Sequence, residues 1–157
     1  ISVEFKLYMI KEFQRLKEQE RETLGWDIRR NLAKINYRIH TDAIRTHLIP
    51  PELSKAQTAI IYASEADVLN MALFGKTAAQ WRKENPGEKG NIRDQATSAQ
   101  LVCLSNLENL NALFITQVLP QSERLQRLNQ IAIQQMQLLT TEDRVPSLRG
   151  PKVASEE

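Results

Sequence analysis

Leu101-Val102-Cys103-Leu104-Ser105-Asn106-Leu107-Glu108-Asn109-Leu110-Asn111-Ala112-Leu113-Phe114-Ile115-Thr116-Gln117-Val118 carries leucine at every third position to Leu110 and then Phe114, Ile115 and Val118. Those seven positions cover nearly half of a helix circumference. That is too wide for a surface stripe, so the segment is read as the central core helix of an all-α domain. Pro120 and Ser122 mark a restart. Leu125, Leu128, Ala132, Met136 and Leu139 then form one stripe, with Gln126, Gln130, Gln134 and Gln137 on the far side. The amides Asn106, Asn109 and Asn111, like the glutamines, are read as solvated, with bridging between subunits as the other reading. Cys103 falls in the core-type helix, where a buried thiol is far commoner than a nucleophile.

Upstream, short helices are punctuated by recognisable start signals. Ser54 with Gln57, Ser64 with Asp67, Thr77 with Gln80 and Thr97 with Gln100 have the spacing of the capping box, in which a hydroxyl and the residue three later satisfy each other's backbone donors. Gly75 is the expected stop of the helix holding Val68, Leu69, Met71, Ala72 and Leu73. Ala59-Ile60-Ile61-Tyr62-Ala63 is read as buried helix or extended connector. Glu65 and Asp67 are placed in a helix's first turn, where carboxylates suit the dipole. Asn85-Pro86-Gly87-Glu88-Lys89-Gly90-Asn91 is an interior loop. From Gly90 to Gln100 a structured corner is expected, Gly90 supplying a backbone geometry closed to other residues and Asn91 a cap, with Arg93 and Asp94 pairing to neighbours. A mobile connector is the alternative.

Ile49-Pro50-Pro51 ends a long helix that begins at Asp27, because the residue before proline leaves the α region and proline lacks the N–H donor. On this helix Ile28, Leu32, Ile35, Ile39 and Ala43 keep one face, read as a core face. Arg30, Lys34, Arg38 and Arg45 occupy about 80° on the opposite side. The row is read either as a phosphate-contacting stripe or as a solvated face whose arginines pair with Glu12, Glu18 or Glu20 folding back from the preceding helix. That first helix is apolar on two sides at its start, with Phe5, Met9, Phe13 and Leu16 on one and Val3, Leu7 and Ile10 on the other. Two long N-terminal helices are therefore expected, followed by a compact bundle of shorter and longer helices. Periodicity stops after Thr140. The division is 1–22 as the end of an upstream domain and its exit helix, 23–140 as a helical domain, and 141–157 as a disordered tail.

The whole chain, 157 residues with 41% hydrophobic and 25% charged, is in the range of an ordinary folded domain. Six per cent aromatics and five glycines argue against a β-sandwich or barrel. No apolar run approaches the roughly 20 residues of a membrane helix, and Glu4 and Lys6 stand where a secretory segment would be apolar. A single cysteine forms no internal disulfide, so a cytoplasmic setting without membrane contact is expected. Net charge is +2 overall, but residues 1–49 carry 10 Lys+Arg against 7 Asp+Glu, and residues 50–157 carry 11 against 12. Basic character sits in the first third.

Chemical motifs are near misses. Gly75-Lys76-Thr77 resembles the end of a phosphate loop, but Asn70 stands where that loop needs glycine, and a helix precedes it rather than a strand. His40 and His47 lie two helical turns apart, too far to share one metal. No catalytic residue, cofactor, metal or small-molecule ligand is inferred. Whether the chain is an enzyme is left open by its sequence.

A resemblance adds what periodicity does not. The first 17 residues, ISVEFKLYMIKEFQRLK, resemble the closing helix of the KilA-N domain, a small DNA-binding module of phage, viral and bacterial proteins. Leu24-Gly25-Trp26-Asp27-Ile28-Arg29-Arg30-Asn31-Leu32, Tyr62-Ala63-Ser64-Glu65-Ala66-Asp67, Ala72-Leu73-Phe74-Gly75-Lys76-Thr77-Ala78 and Lys89-Gly90-Asn91-Ile92-Arg93-Asp94 are similar to the region that follows that domain in bacterial KilA-N proteins. The resemblance implies that the DNA-reading part lies upstream of Ile1, which also fits a chain that does not begin with Met. It carries no DNA-contacting residue onto this sequence. The expected function is a non-enzymatic region that oligomerises a KilA-N-like protein as a homodimer or recruits a partner, with auxiliary phosphate contacts from Arg30, Lys34, Arg38 and Arg45. The alternative is an enzyme of nucleic-acid metabolism with a polar site near residues 89–94.

Overall fold

In the computed structural model, residues 2–141 are described, apart from the side chains of Trp26 and Arg29. The tail expected at 141–157 lies outside the described residues except for Thr141. The elements are α1 (Val3–His47), α2 (Lys55–Phe74), α3 (Ala78–Glu84), a 3₁₀ turn (Ile92–Gln95), α4 (Ser98–Thr116) and α5 (Gln121–Leu139). Among the described residues there is no strand, so the all-α class holds.

The two long N-terminal helices run as one. Gly25 does not break α1, since glycine inside a helix costs only about 1 kcal/mol against alanine and no proline accompanies it. Continuity also removes the fold-back of Glu12, Glu18 and Glu20, and Glu12 instead pairs with Arg15 one turn along. The helix ends at His47, just before Pro50 and Pro51, as those prolines require.

The chain divides after Asn36 into two units. In the second, α2, α4 and α5 pack on one another around Val68, Leu69, Ala72, Cys103, Leu104, Leu107, Leu128 and Ala132. A smaller cluster joins Ala43 and Ile44 of α1 to Ala112 and Ile115 of α4. The apolar rows of α4 and α5 therefore do bury, except at Leu101, which is 45% exposed in the first turn of α4, and at Val118, and all four glutamines on the far side of α5 are exposed. Val118 departs from its expected core role. α4 stops at Thr116, and Val118 turns outward with φ 61°, a left-handed conformation that β-branched residues rarely take.

Capping explains the other boundaries. Ser54, Thr77 and Thr97 each make the reciprocal bonds of a capping box with Gln57, Gln80 and Gln100. Gly75 closes α2 at φ 72°. The corner after Gly90 is structured: Asn91 Oδ1 accepts from the Arg93 N–H at 2.8 Å, and Asp94 Oδ2 accepts from the Asn91 N–H at 2.7 Å. The cap expected at Ser64 does not exist, because α2 starts ten residues earlier and carries Ser64 through its middle. Ala59–Ala63 is accordingly helical, though Ile60 is exposed rather than buried.

The first unit is α1 alone over 3–36. Ile28, Leu32 and Ile35, read as a core face, are each more than half exposed, and Ile39 beyond them is 41% exposed; of the row only Ala43 is buried. The core role expected for this row is therefore not what the structure shows at Ile28, Leu32 and Ile35.

Candidate functional site

Two features of the structure bear on function. One is a buried polar network in the second unit, and the other is the surface of α1.

Glu65 lies four residues before Leu69 on α2, Asn111 four before Ile115 on α4, and Arg124 four before Leu128 on α5. Each thus falls on the core-facing row of its helix, and each is buried. Arg124 is held by four bonds. Its Nη1 and Nη2 donate to Glu65 Oε2 and Oε1 at 2.6 and 2.9 Å, Nη1 also donates to Asn111 Oδ1 at 3.0 Å, and Nε donates to the Leu119 carbonyl at 3.1 Å. Gln121 Nε2 adds donors to Ser64 Oγ at 3.0 Å and Glu65 Oε1 at 3.1 Å. A guanidinium only donates, so the oxygen of Asn111 faces Arg124 and its NH₂ faces away. That NH₂ lies 2.8 Å from His40 Nε2 and 3.4 Å from Glu65 Oε2. His40 Nε2 is therefore the acceptor, and the ring is neutral with its proton on Nδ1.

Electrostatics agree with this assignment. Burial is the main reason that His40 is pushed down to about 4; Glu65 pulls it up, while Arg93 and Arg124 press it further down. Burial raises the Glu65 carboxyl, but the hydrogen bonds and charge of Arg124, with bonds from Asn111 and Gln121, outweigh it and leave Glu65 below its ordinary value. Glu108 goes the other way: burial lifts it, and Arg93, 3.1 Å away and one-third exposed, only partly offsets that. A cleft of about 340 Å³ beside the network is lined by Tyr37, His40, Thr41, Tyr62 and Arg93 among others.

Chemically this is a closed arrangement. The carboxylate of Glu65 is saturated by donors, and the accepting nitrogen of His40 is already occupied, so neither is poised to take a proton from a substrate. Its effect is to fix the end of α1 around His40 with α2, α4 and α5 in one arrangement, since an unmatched member would leave a buried charge. Among the described residues, no group of three or more His, Cys, Asp or Glu side chains is placed to hold a metal ion. Cys103 is buried, and burial raises its thiol.

Of the polar residues in 89–94, three are committed to structure: Asn91 and Asp94 cap the 3₁₀ turn, and Arg93 pairs with Glu108, while Lys89 is exposed. Gly75-Lys76-Thr77 is a helix stop, an ion pair from Lys76 to Glu84 at 2.5 Å, and the cap of α3.

On α1, Arg30, Lys34, Arg38 and Arg45 are all exposed. Arg45 is tied to Asp42 at 2.5 Å, one turn back. Among the described residues no carboxylate lies within ion-pair distance of Arg30, Lys34 or Arg38. No family model, curated protein or solved structure matches this chain. Among the described residues no helix is long and apolar enough to cross a membrane.

The sequence reading did not single out Arg124, Glu108 or the partnership of His40 with Asn111. The available signal was a charged or amide residue on each core row. Asn111, read among the solvated amides, is instead fully buried, whereas Asn106 does lie at the surface and bonds Gln135 at 3.0 Å.

Proposed function

We propose that this chain is the non-enzymatic helical assembly region of a KilA-N-like DNA-binding protein, in which α1 joins two copies and the bundle presents a surface for a further partner. One observation carries the reading: Phe5, Met9, Phe13, Leu16, Leu24, Ile28, Leu32 and Ile35 follow one side of α1 and stand exposed, Phe13 at 62% and Leu32 at 54%. Contiguous apolar surface of that extent marks an interaction site. A homodimer is the simplest closed way to cover it, and it suits a protein whose upstream modules read paired half-sites. DNA enters through the KilA-N resemblance and, secondarily, through Arg30, Lys34 and Arg38, which supply sequence-independent phosphate contacts. A cytoplasmic protein of this kind needs no cofactor.

The test is to replace Ile28, Leu32 and Ile35 by serine. These residues are more than half exposed and lie outside the unit of residues 37–141, so that bundle is expected to keep its thermal transition. Light scattering then shows assembly by the unaltered chain and a monomer for the variant. Equal masses for the two chains overturn the reading.

A further inference from the structure

The flanks of the exposed stripe carry more information than its existence. Phe13, Leu24 and Ile35 are eleven residues apart. An eleven-residue repeat closes in three helical turns of about 3.67 residues, so these three lie on one line along a nearly straight or gently right-handed pair of helices. At that period Phe5, Met9, Leu16, Ile28 and Leu32 all fall within about 65° of the line.

The charged residues of 3–36 within the same arc are five, and they sort by sign. Lys6, Lys17 and Arg21 lie about 30–65° to one side, and Glu20 and Asp27 about 30–65° to the other. All five are exposed. Lys17 keeps its Nζ over the Phe13 ring, 5.1 Å from the centroid, which places the ammonium along the edge of the stripe. Among the described residues Glu20, Arg21 and Asp27 have no ion-pair partner, whereas Glu12, farther round the helix, is paired with Arg15.

Two-fold symmetry turns this sorting into an orientation. In a parallel pair the basic shoulder of one copy meets the acidic shoulder of the other. In an antiparallel pair each shoulder meets its own kind, basic on basic, with Glu20 beside Asp27 of the second copy. We propose that α1 pairs with α1 of a second copy in parallel and in register, Leu24 against Leu24, with Glu20 of each copy held between Lys17 and Arg21 of the other. Glu20, the acid nearest the line, then sets orientation and register through its placement between two cations of the second copy. The inference rests on the reading that α1 joins two copies and adds their direction.

The experiment uses the full chain carrying Cys103→Ser, with Phe13→Cys or Ile35→Cys as the only thiol, under mild oxidation. Disulfides need Cα atoms within about 7 Å, so only directly facing positions link. The expected result is a covalent dimer from each single-cysteine chain and no 13-to-35 product from their mixture. Linkage confined to the mixture shows an antiparallel pair and overturns this inference while sparing the assembly reading. No linkage in any sample, with dimer present in sedimentation, places the interface or its register elsewhere and also overturns it. A monomer in sedimentation overturns both.

Discussion

Acidification from pH 7 to pH 5 should weaken the bundle through His40, and the size follows from its surroundings. The ring sits at about 4 in the folded chain against 6.5 for the exposed residue, chiefly because it is buried. A histidine with a depressed folded value is neutral when native and charged when unfolded between those two limits. The unfolded state therefore takes up a proton that the native state refuses, and stability falls as pH drops through 6.5 toward 4. The loss is about 2 kcal/mol at pH 5 and about 3 kcal/mol once pH is below 4. Glu65, held low by Arg124, adds a further loss only as pH falls below the ordinary carboxylate value, outside this window. Glu108, lifted by burial, has the opposite sign and gains stability as it takes up its proton. The assay separates them. Urea unfolding followed by circular dichroism at pH 7 and pH 5 is compared for the unaltered chain and His40→Gln, whose amide oxygen accepts from Asn111 at either pH. The difference between their pH responses is the His40 contribution. If both lose the same stability between pH 7 and pH 5, His40 is not a buried neutral acceptor and the hydrogen-bond assignment of the network is wrong.

Glu65→Gln or Arg124→Met alone should cost about 3–5 kcal/mol in urea unfolding, since each leaves its buried partner uncompensated, whereas Glu65→Met with Arg124→Leu recovers most of it; additive losses would show that the pair is not a unit. Gly90→Ala should cost about 1–2 kcal/mol, because φ is 93° and an added Cβ would collide with Asp94 Oδ2, the atom that caps Asn91. Faster amide exchange confined to Asn91–Ala96 would accompany it, and unchanged exchange there would contradict the account. Arg30/Lys34/Arg38→Ala should weaken binding to labelled duplex DNA at low salt, the unaltered chain losing affinity with a log–log salt slope of about −2.7 for three phosphates. Equal affinity for both chains would reduce the row to a solvated helix face.

The helical architecture was readable because its signals are local. The leucine spacing of Leu104 and Leu107, the stripe of Leu128 and Ala132, the capping boxes at Ser54, Thr77 and Thr97, and the prolines after Ile49 all act within one or two turns. What escaped needs long-range information. Glu65, Asn111 and Arg124 are 46 and 13 residues apart in sequence, and each read alone is a polar residue interrupting an apolar row. Only packing shows that they interrupt at the same height. Glu65 was placed in a first turn because Ser64 and Asp67 match a cap whose helix in fact begins at Lys55. The face of Ile28, Leu32 and Ile35 was read correctly as amphipathic but given a core role, whereas all three stand more than half exposed, since periodicity records an apolar face and not what lies over it.

The central claim is that α1 brings two copies together, and sedimentation equilibrium of the unaltered chain tests it most directly. Across a concentration series reaching tens of micromolar, the account predicts a mass rising to twice the 18.0 kDa of one chain. A mass of 18.0 kDa at every concentration would contradict it.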